Sequence, residues 1–133
     1  MTGPEPGTRV ATKLLVVEDN AANLRLATFL LESAGHSVVS ATSAEAGLAL
    51  ARDLQPDLIV MDIQLPGMDG LEAIALLKLG ESTRSIPVVA LTAMAMKGDE
   101  QRIRQAGFTA YVAKPLRYEE LLATVERELA ARH

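Results

Sequence analysis

Five short apolar runs recur along the chain: KLLVVE (13–18), SVVSA (37–41), DLIVMD (57–62), IPVVALT (86–92) and TAYVA (109–113). Most are continuous rather than alternating, the pattern of strands covered on both faces, as in a parallel sheet. The segments between them have helical spacing. Leu24, Ala27, Leu31 and Ala34 share a face, as do Ala44, Leu48 and Ala51. Leu71, Ile74 and Leu77 or Lys78 mark a third helix, and Ile103 and Ala106 a shorter fourth. Tyr118, Leu121, Leu122, Val125 and Leu129 mark the last. Strands alternating with helices specify an open, doubly wound α/β sheet.

The punctuation agrees. Gly35, Gly80 and Gly107 stand where helices should stop, at the left-handed C-terminal cap. Ser43 and Asp69 are candidate N-caps, and Asp19 or Asn20 can cap the first helix. We expect one domain over residues 13–133, preceded by a loose Pro- and Gly-containing tail over 1–12. With 49% hydrophobic residues the chain can bury a core, and a net charge of −4 argues against nucleic acid as a partner. The absence of cysteine excludes disulfides and thiolate metal sites and suits the cytoplasm. No apolar stretch is long enough to span a membrane, and the start MTGPEPGTRVAT lacks the pattern of a secretory signal.

In doubly wound folds ligands bind beyond the carboxyl ends of the strands. There this sequence has Glu18-Asp19-Asn20, Asp62, Thr92 and Lys114-Pro115. Each has an ordinary explanation: a cap at Asp19 or Asn20, an Asx turn at Asp62, a strand residue at Thr92, a solvated Lys114. Together they suggest more. Three converging carboxylates repel one another unless a cation joins them. Oxygen ligands suit Mg²⁺, which binds through one or two carboxylates plus a phosphate. Thr92 and Lys114 add a hydroxyl and a positive charge, the equipment for holding a phosphoryl group. Asp62 ends a stiff apolar strand, where a nucleophile is held still for in-line attack, and Pro66-Gly67 then turns the chain away.

VVEDN, VMDIQLPGMDG, VVALTA and YVAKPL, in this order and spacing, resemble the response-regulator receiver domains of two-component signalling, the CheY-like family. The resemblance spans roughly Lys13 to Ala131 and is strongest to single-domain regulators of the DivK type and to receiver modules of hybrid sensor kinases. It implies a (βα)5 flavodoxin-like fold with a parallel sheet in the order 2-1-3-4-5. It implies that Asp62 accepts a phosphoryl group from a histidine kinase or histidine phosphotransfer protein. Glu18, Asp19, Asp62 and the backbone carbonyl of Gln64 then hold Mg²⁺. Thr92 contacts the phosphoryl oxygens, and Lys114 pairs with Asp62 and then with the phosphate. Thr92 and Tyr111 form the switch, which alters a protein-docking surface on the fourth helix, fifth strand and fifth helix, near Lys97 to Ala106, Tyr111 and Arg117 to Glu120. The Lys114-Pro115 bond is expected to be cis.

Other classes fit less well. A haloacid-dehalogenase-like phosphatase needs a second aspartate at position 64, where this chain has Gln64. A flavin-mononucleotide binder needs a phosphate loop after strand one, where EDNAAN is acidic. A receiver-like module that is never phosphorylated would not need the intact acceptor, acidic pair, threonine and lysine. Met94, apolar beside the acceptor, is expected to shield the aspartyl phosphate from water.

Overall fold

The computed structural model describes residues 12–93 and 99–131. The expected tail before Thr12, Met94 with its expected shielding role, Lys97 and the rest of residues 94–98 lie outside the described residues. Five strands, β1 (Lys13–Val17), β2 (Ser37–Ala41), β3 (Leu58–Asp62), β4 (Val88–Thr92) and β5 (Ala110–Ala113), alternate with α1 (Ala21–Ser33), α2 (Ala44–Leu54), α3 (Gly70–Leu79), α4 (Asp99–Ala106) and α5 (Tyr118–Ala131). The sheet order is β2-β1-β3-β4-β5, and every pairing is parallel.

The continuous apolar runs behave as their patterning requires. β3 and β4 are buried along their whole length. Alternate residues feed two cores. Leu15, Val17, Ile59, Met61, Val88 and Ala90 pack with Ala44, Leu48, Ala73, Ile74, Leu77 and Ile103, beneath α2, α3 and α4. Leu14, Val16, Leu58, Val60, Val89 and Leu91 pack with Ala27, Leu31, Leu121 and Val125, beneath α1 and α5. Fully burying each large aliphatic side chain contributes about 1.5–3 kcal/mol.

Local signals set the element ends. The Asn20 side chain accepts from the Asn23 amide, and Ser43 Oγ accepts from the Ala46 amide. Asp69 and Glu72 form a reciprocal capping box at the start of α3. Gly35 (φ 99°) and Gly107 (φ 122°) are left-handed as expected. Gly80 is not: it is extended, at φ −80° and ψ 133°. Its service is clearance, because a Cβ there would lie 2.6 Å from Thr83 Oγ1, which donates to the Leu77 carbonyl and ends the helix instead. The left-handed cap of α2 is Gln55, whose side-chain amide also donates back to the Ala51 and Arg52 carbonyls. Tyr118 lies 44% exposed, off the buried face expected for it, because it opens α5 a turn before the core begins; Thr124 is buried on that helix instead. The Lys114-Pro115 bond is cis.

Candidate functional site

Adjacency of β1 and β3, with Val17 opposite Met61, carries the two acidic strand ends to one edge of the sheet. Glu18, Asp19 and Asp62 each offer a carboxylate oxygen there, all within 4.8 Å of one another. Glu18 and Asp62 are almost completely buried, whereas Asp19 is exposed. Lys114 arrives from the next strands over. Its amide donates to the Thr92 carbonyl at 2.8 Å, tying it to the end of β4. Its side chain then places Nζ 2.7 Å from Asp62 Oδ2 and 3.1 Å from Glu18 Oε1. Thr92 ends β4, buried beside this group.

The backbone also addresses these carboxylates. Asp62 Oδ1 accepts from the Gln64 amide at 2.9 Å, an Asx turn. The ordinary reading of Asp62 is therefore correct, and it coexists with a place in the cluster. Glu18 Oε2 accepts from the Asn20 amide at 3.1 Å. Glu18 Oε1 is buried and makes no hydrogen bond; its approach to Lys114 is a charge contact without hydrogen-bond alignment. Burial pushes the Glu18 carboxyl above the ordinary carboxylate range, and Asp62 adds to the rise against the lowering by the Asn20 amide and Lys114. For Lys114, burial alone would lower the ammonium, but the hydrogen bond to Asp62 and the close negative charges of Asp62 and Glu18 hold it above the usual lysine value.

One ammonium faces three carboxylates, and one buried carboxylate oxygen lacks a hydrogen bond. This all-oxygen, electron-rich donor set fits a hard divalent cation such as Mg²⁺. The remaining expected residues sit around it. The Gln64 side chain is exposed, leaving only its backbone near the acceptor. Tyr111 is half-buried on β5, packed against the α2–α3–α4 core, with its hydroxyl 3.4 Å from Glu100 Oε1 on α4.

Three contributors escaped the sequence reading. The Glu18–Lys114 contact has no signal in a linear sequence, because it depends on three strands meeting. Gly70, which follows the Asp69 cap, is the second. Its amide donates to the Ile63 carbonyl, and a Cβ there would fall 2.6 Å from the Asp62 carbonyl oxygen and 2.7 Å from Ile63 Cα. Helix α3 can thus start flush against the end of β3 only with glycine at that position. Ile63 and Leu65, both buried, anchor the turn, and their alternation with Gln64 and Pro66 was the available clue.

Comparison with known proteins agrees with this geometry. Residues 14–126 match the family model described as "Response regulator receiver domain". The polar-differentiation response regulator DivK of Brucella ovis is 47% identical over 116 residues, covering 87% of this chain and 94% of that protein. DivK of Brucella anthropi is 45% identical over the same shares. Among solved structures, a putative response regulator from Chloroflexus aurantiacus superposes with a TM-score of 0.86 at 30% identity, covering 91% of this chain and 99% of that one. The receiver domain of the sensor histidine kinase PA1611 from Pseudomonas aeruginosa, described with a magnesium ion coordinated in its active-site cleft, gives 0.84 at 33% identity with the same coverage. Motif order, sheet order and these matches converge: the chain belongs to the receiver domains of two-component response regulators.

Proposed function

We propose that this chain, as a receiver domain over residues 13–133, accepts a phosphoryl group on Asp62 from a phosphohistidine of a histidine kinase or phosphotransfer protein in the cytoplasm. The observation that carries this reading is the pairing of Asp62 with Lys114 at 2.7 Å inside a cluster of carboxylates at the sheet edge. An Asp62 carboxylate oxygen attacks phosphorus; the P–O bond forms as the P–N bond to the donor imidazole breaks in line. The Gln64 amide and Lys114 fix the carboxylate plane, so the attack angle is set before the donor arrives. Lys114 then offers its charge to the transferred group. Thr92, at the neighbouring strand end, supplies a hydroxyl.

Glu18, Asp19, Asp62 and the Gln64 carbonyl would hold Mg²⁺. When bound, the ion supplies positive charge against the phosphoryl oxygens. The output follows from Thr92 and Tyr111: a shift of Thr92 toward the phosphate opens room that the half-buried Tyr111 can fill, breaking its contact with Glu100 and altering the α4–β5–α5 surface that a downstream protein reads. A dehalogenase-like phosphatase is disfavoured by family membership and by Gln64.

The test is intact-mass analysis after acetyl phosphate or beryllofluoride treatment. The expected result is a single adduct, dependent on a divalent cation and lost in Asp62→Asn. An adduct that persists in Asp62→Asn overturns the assignment.

A further inference from the structure

Helix α1 carries apolar residues on two opposite faces. Ala27 and Leu31 are fully buried and face the sheet. On the side turned away from them run Ala22, Leu26, Phe29 and Ser33, all exposed, at the 4-3-4 spacing of a coiled-coil seam. Phe29 is 65% exposed and Leu26 41%, so two large apolar side chains one turn apart stand in water with a small residue at either end. Arg25 and Glu32 lie seven residues apart along one flank of that seam, both exposed. None of the ion pairs among the described residues uses either of them. β2 is an edge strand, and α1 shares its face of the sheet with α5, so among the described helices none lies over the seam.

We propose that this face of α1 is a self-association surface, on which a second copy of the chain docks its own α1 antiparallel across a two-fold axis. The pattern is self-complementary, as such an interface requires. In antiparallel register Leu26 of each copy meets Phe29 of the other, and Ala22 meets Ser33. The large pairs then sit at the centre and the small pairs at the ends. The same register brings Arg25 of each copy toward Glu32 of the other, two charge pairs closing one side of the seam. A parallel pair would set Arg25 level with Arg25 and Glu32 level with Glu32, and would align the two helix dipoles. That the two opposite charges stand on one flank at a heptad interval is what selects a second copy over an unrelated helix. The helix has 13 residues and is about 20 Å long. The contact is smaller than the roughly 1,200 Å² of a stable complex, so the dissociation constant is expected on the order of 0.1 mM. Neither Asp62 nor the acidic cluster enters this inference, which is independent of the phosphoryl-acceptor reading.

The experiment is sedimentation equilibrium of the full chain from about 20 µM to about 1 mM, a range that brackets the expected constant. The weight-average mass is expected to rise from that of one chain toward that of two. Phe29→Asp should hold it at one chain throughout, with circular dichroism showing that the variant is folded. Arg25→Glu and Glu32→Arg each turn both charge pairs into repulsions, and each alone should associate several-fold more weakly than the parent. An equimolar mixture of the two variants restores both pairs between unlike copies, and should associate several-fold more strongly than either variant by itself. A parent that stays at one chain at the top of the range overturns the proposal and leaves the face to a different protein. Self-association that survives Phe29→Asp overturns it by placing the contact elsewhere. A mixture no stronger than its components overturns the antiparallel pairing on which the choice of partner rests.

Discussion

Replacing Lys114 with methionine isolates the charge balance of the acidic cluster. At an effective dielectric near 20, unit charges at the observed 2.7 and 3.1 Å attract by about 6 and 5 kcal/mol. Most of that attraction offsets the desolvation of the three groups. Lys114→Met removes the attraction and leaves the two carboxylates buried, and removal of one partner from a buried pair costs about 3–5 kcal/mol. The Lys114 side chain is 18% exposed, so water reaches its end of the site, and the lower limit applies. A loss of about 3 kcal/mol corresponds to a fall in Tm of roughly 10 °C for a domain of this size.

The pH dependence distinguishes this account from a loss of packing. The Lys114 ammonium is raised above its unfolded value, so its contribution is complete below the unfolded value and fades only as pH climbs through the folded one. It is therefore constant near neutrality in the parent. Glu18 is raised, and Lys114 is one of the groups that lowers it. Without Lys114 the Glu18 carboxyl rises further. A carboxyl with a raised folded value binds its proton more tightly when folded, so stability is regained as pH falls. The deficit of Lys114→Met should shrink from about pH 8 to about pH 5, measured as Tm by circular dichroism. Mg²⁺ should raise the Tm of the variant more than that of the parent, because the ion replaces the lost charge. A deficit constant across that pH range, with equal Mg²⁺ shifts, would refute the electrostatic reasoning.

Further outcomes follow from single contacts. Gly70→Ala forces a Cβ onto the Asp62 carbonyl and Ile63 Cα, and should cost about 1–3 kcal/mol in urea unfolding while slowing phosphoryl uptake more than Mg²⁺ affinity. Asp69→Ala breaks the capping box and should cost about 1 kcal/mol, with the uptake rate per folded molecule unchanged in a phosphodonor assay. Asp19→Asn removes an exposed ligand candidate, so Mg²⁺ binding by calorimetry should weaken at least tenfold while the unfolding free energy without the ion stays within about 0.5 kcal/mol of the parent.

The sequence made the sheet legible because covering a strand on both faces leaves an unbroken apolar run, as in Leu58–Met61. Helix starts were legible because Ser43 and Asp69 act within three residues of themselves. Helix ends were less so. Gly80 looks identical in sequence to Gly35, yet Thr83 decides the geometry by bonding back to Leu77. Gln55 takes a left-handed conformation that few non-glycine residues adopt, assisted by its own side chain. In the site, residue types were readable but pairings were not. That Lys114 would meet Asp62 follows from motif resemblance; that it also approaches Glu18 depends on how far β1, β3 and β5 extend past one another.

The observed pairings also bear on why such a cluster is retained at a cost in stability. Asp62 has both oxygens engaged, one by the Gln64 amide and one by Lys114, so it is positioned without being neutralised. Glu18 is the opposite case: buried, raised in pKa and carrying an oxygen with no hydrogen bond. A core built for stability would replace Glu18 with an apolar residue, because a buried carboxylate rarely recovers its desolvation. On the proposed reading the unfavourable charge is the function. With one ammonium against three carboxylates, the site carries two uncompensated negative charges that a dication can cancel. When a phosphoryl group then joins Asp62, Lys114 must divide its charge between the phosphate and Glu18. That redistribution would reach the end of β4 through the Lys114 amide, which is bonded to Thr92, and β5 through the residues preceding Lys114. A site with balanced charges would have no such imbalance to relieve, and so no electrostatic means of moving the neighbouring strand ends when its occupancy changes.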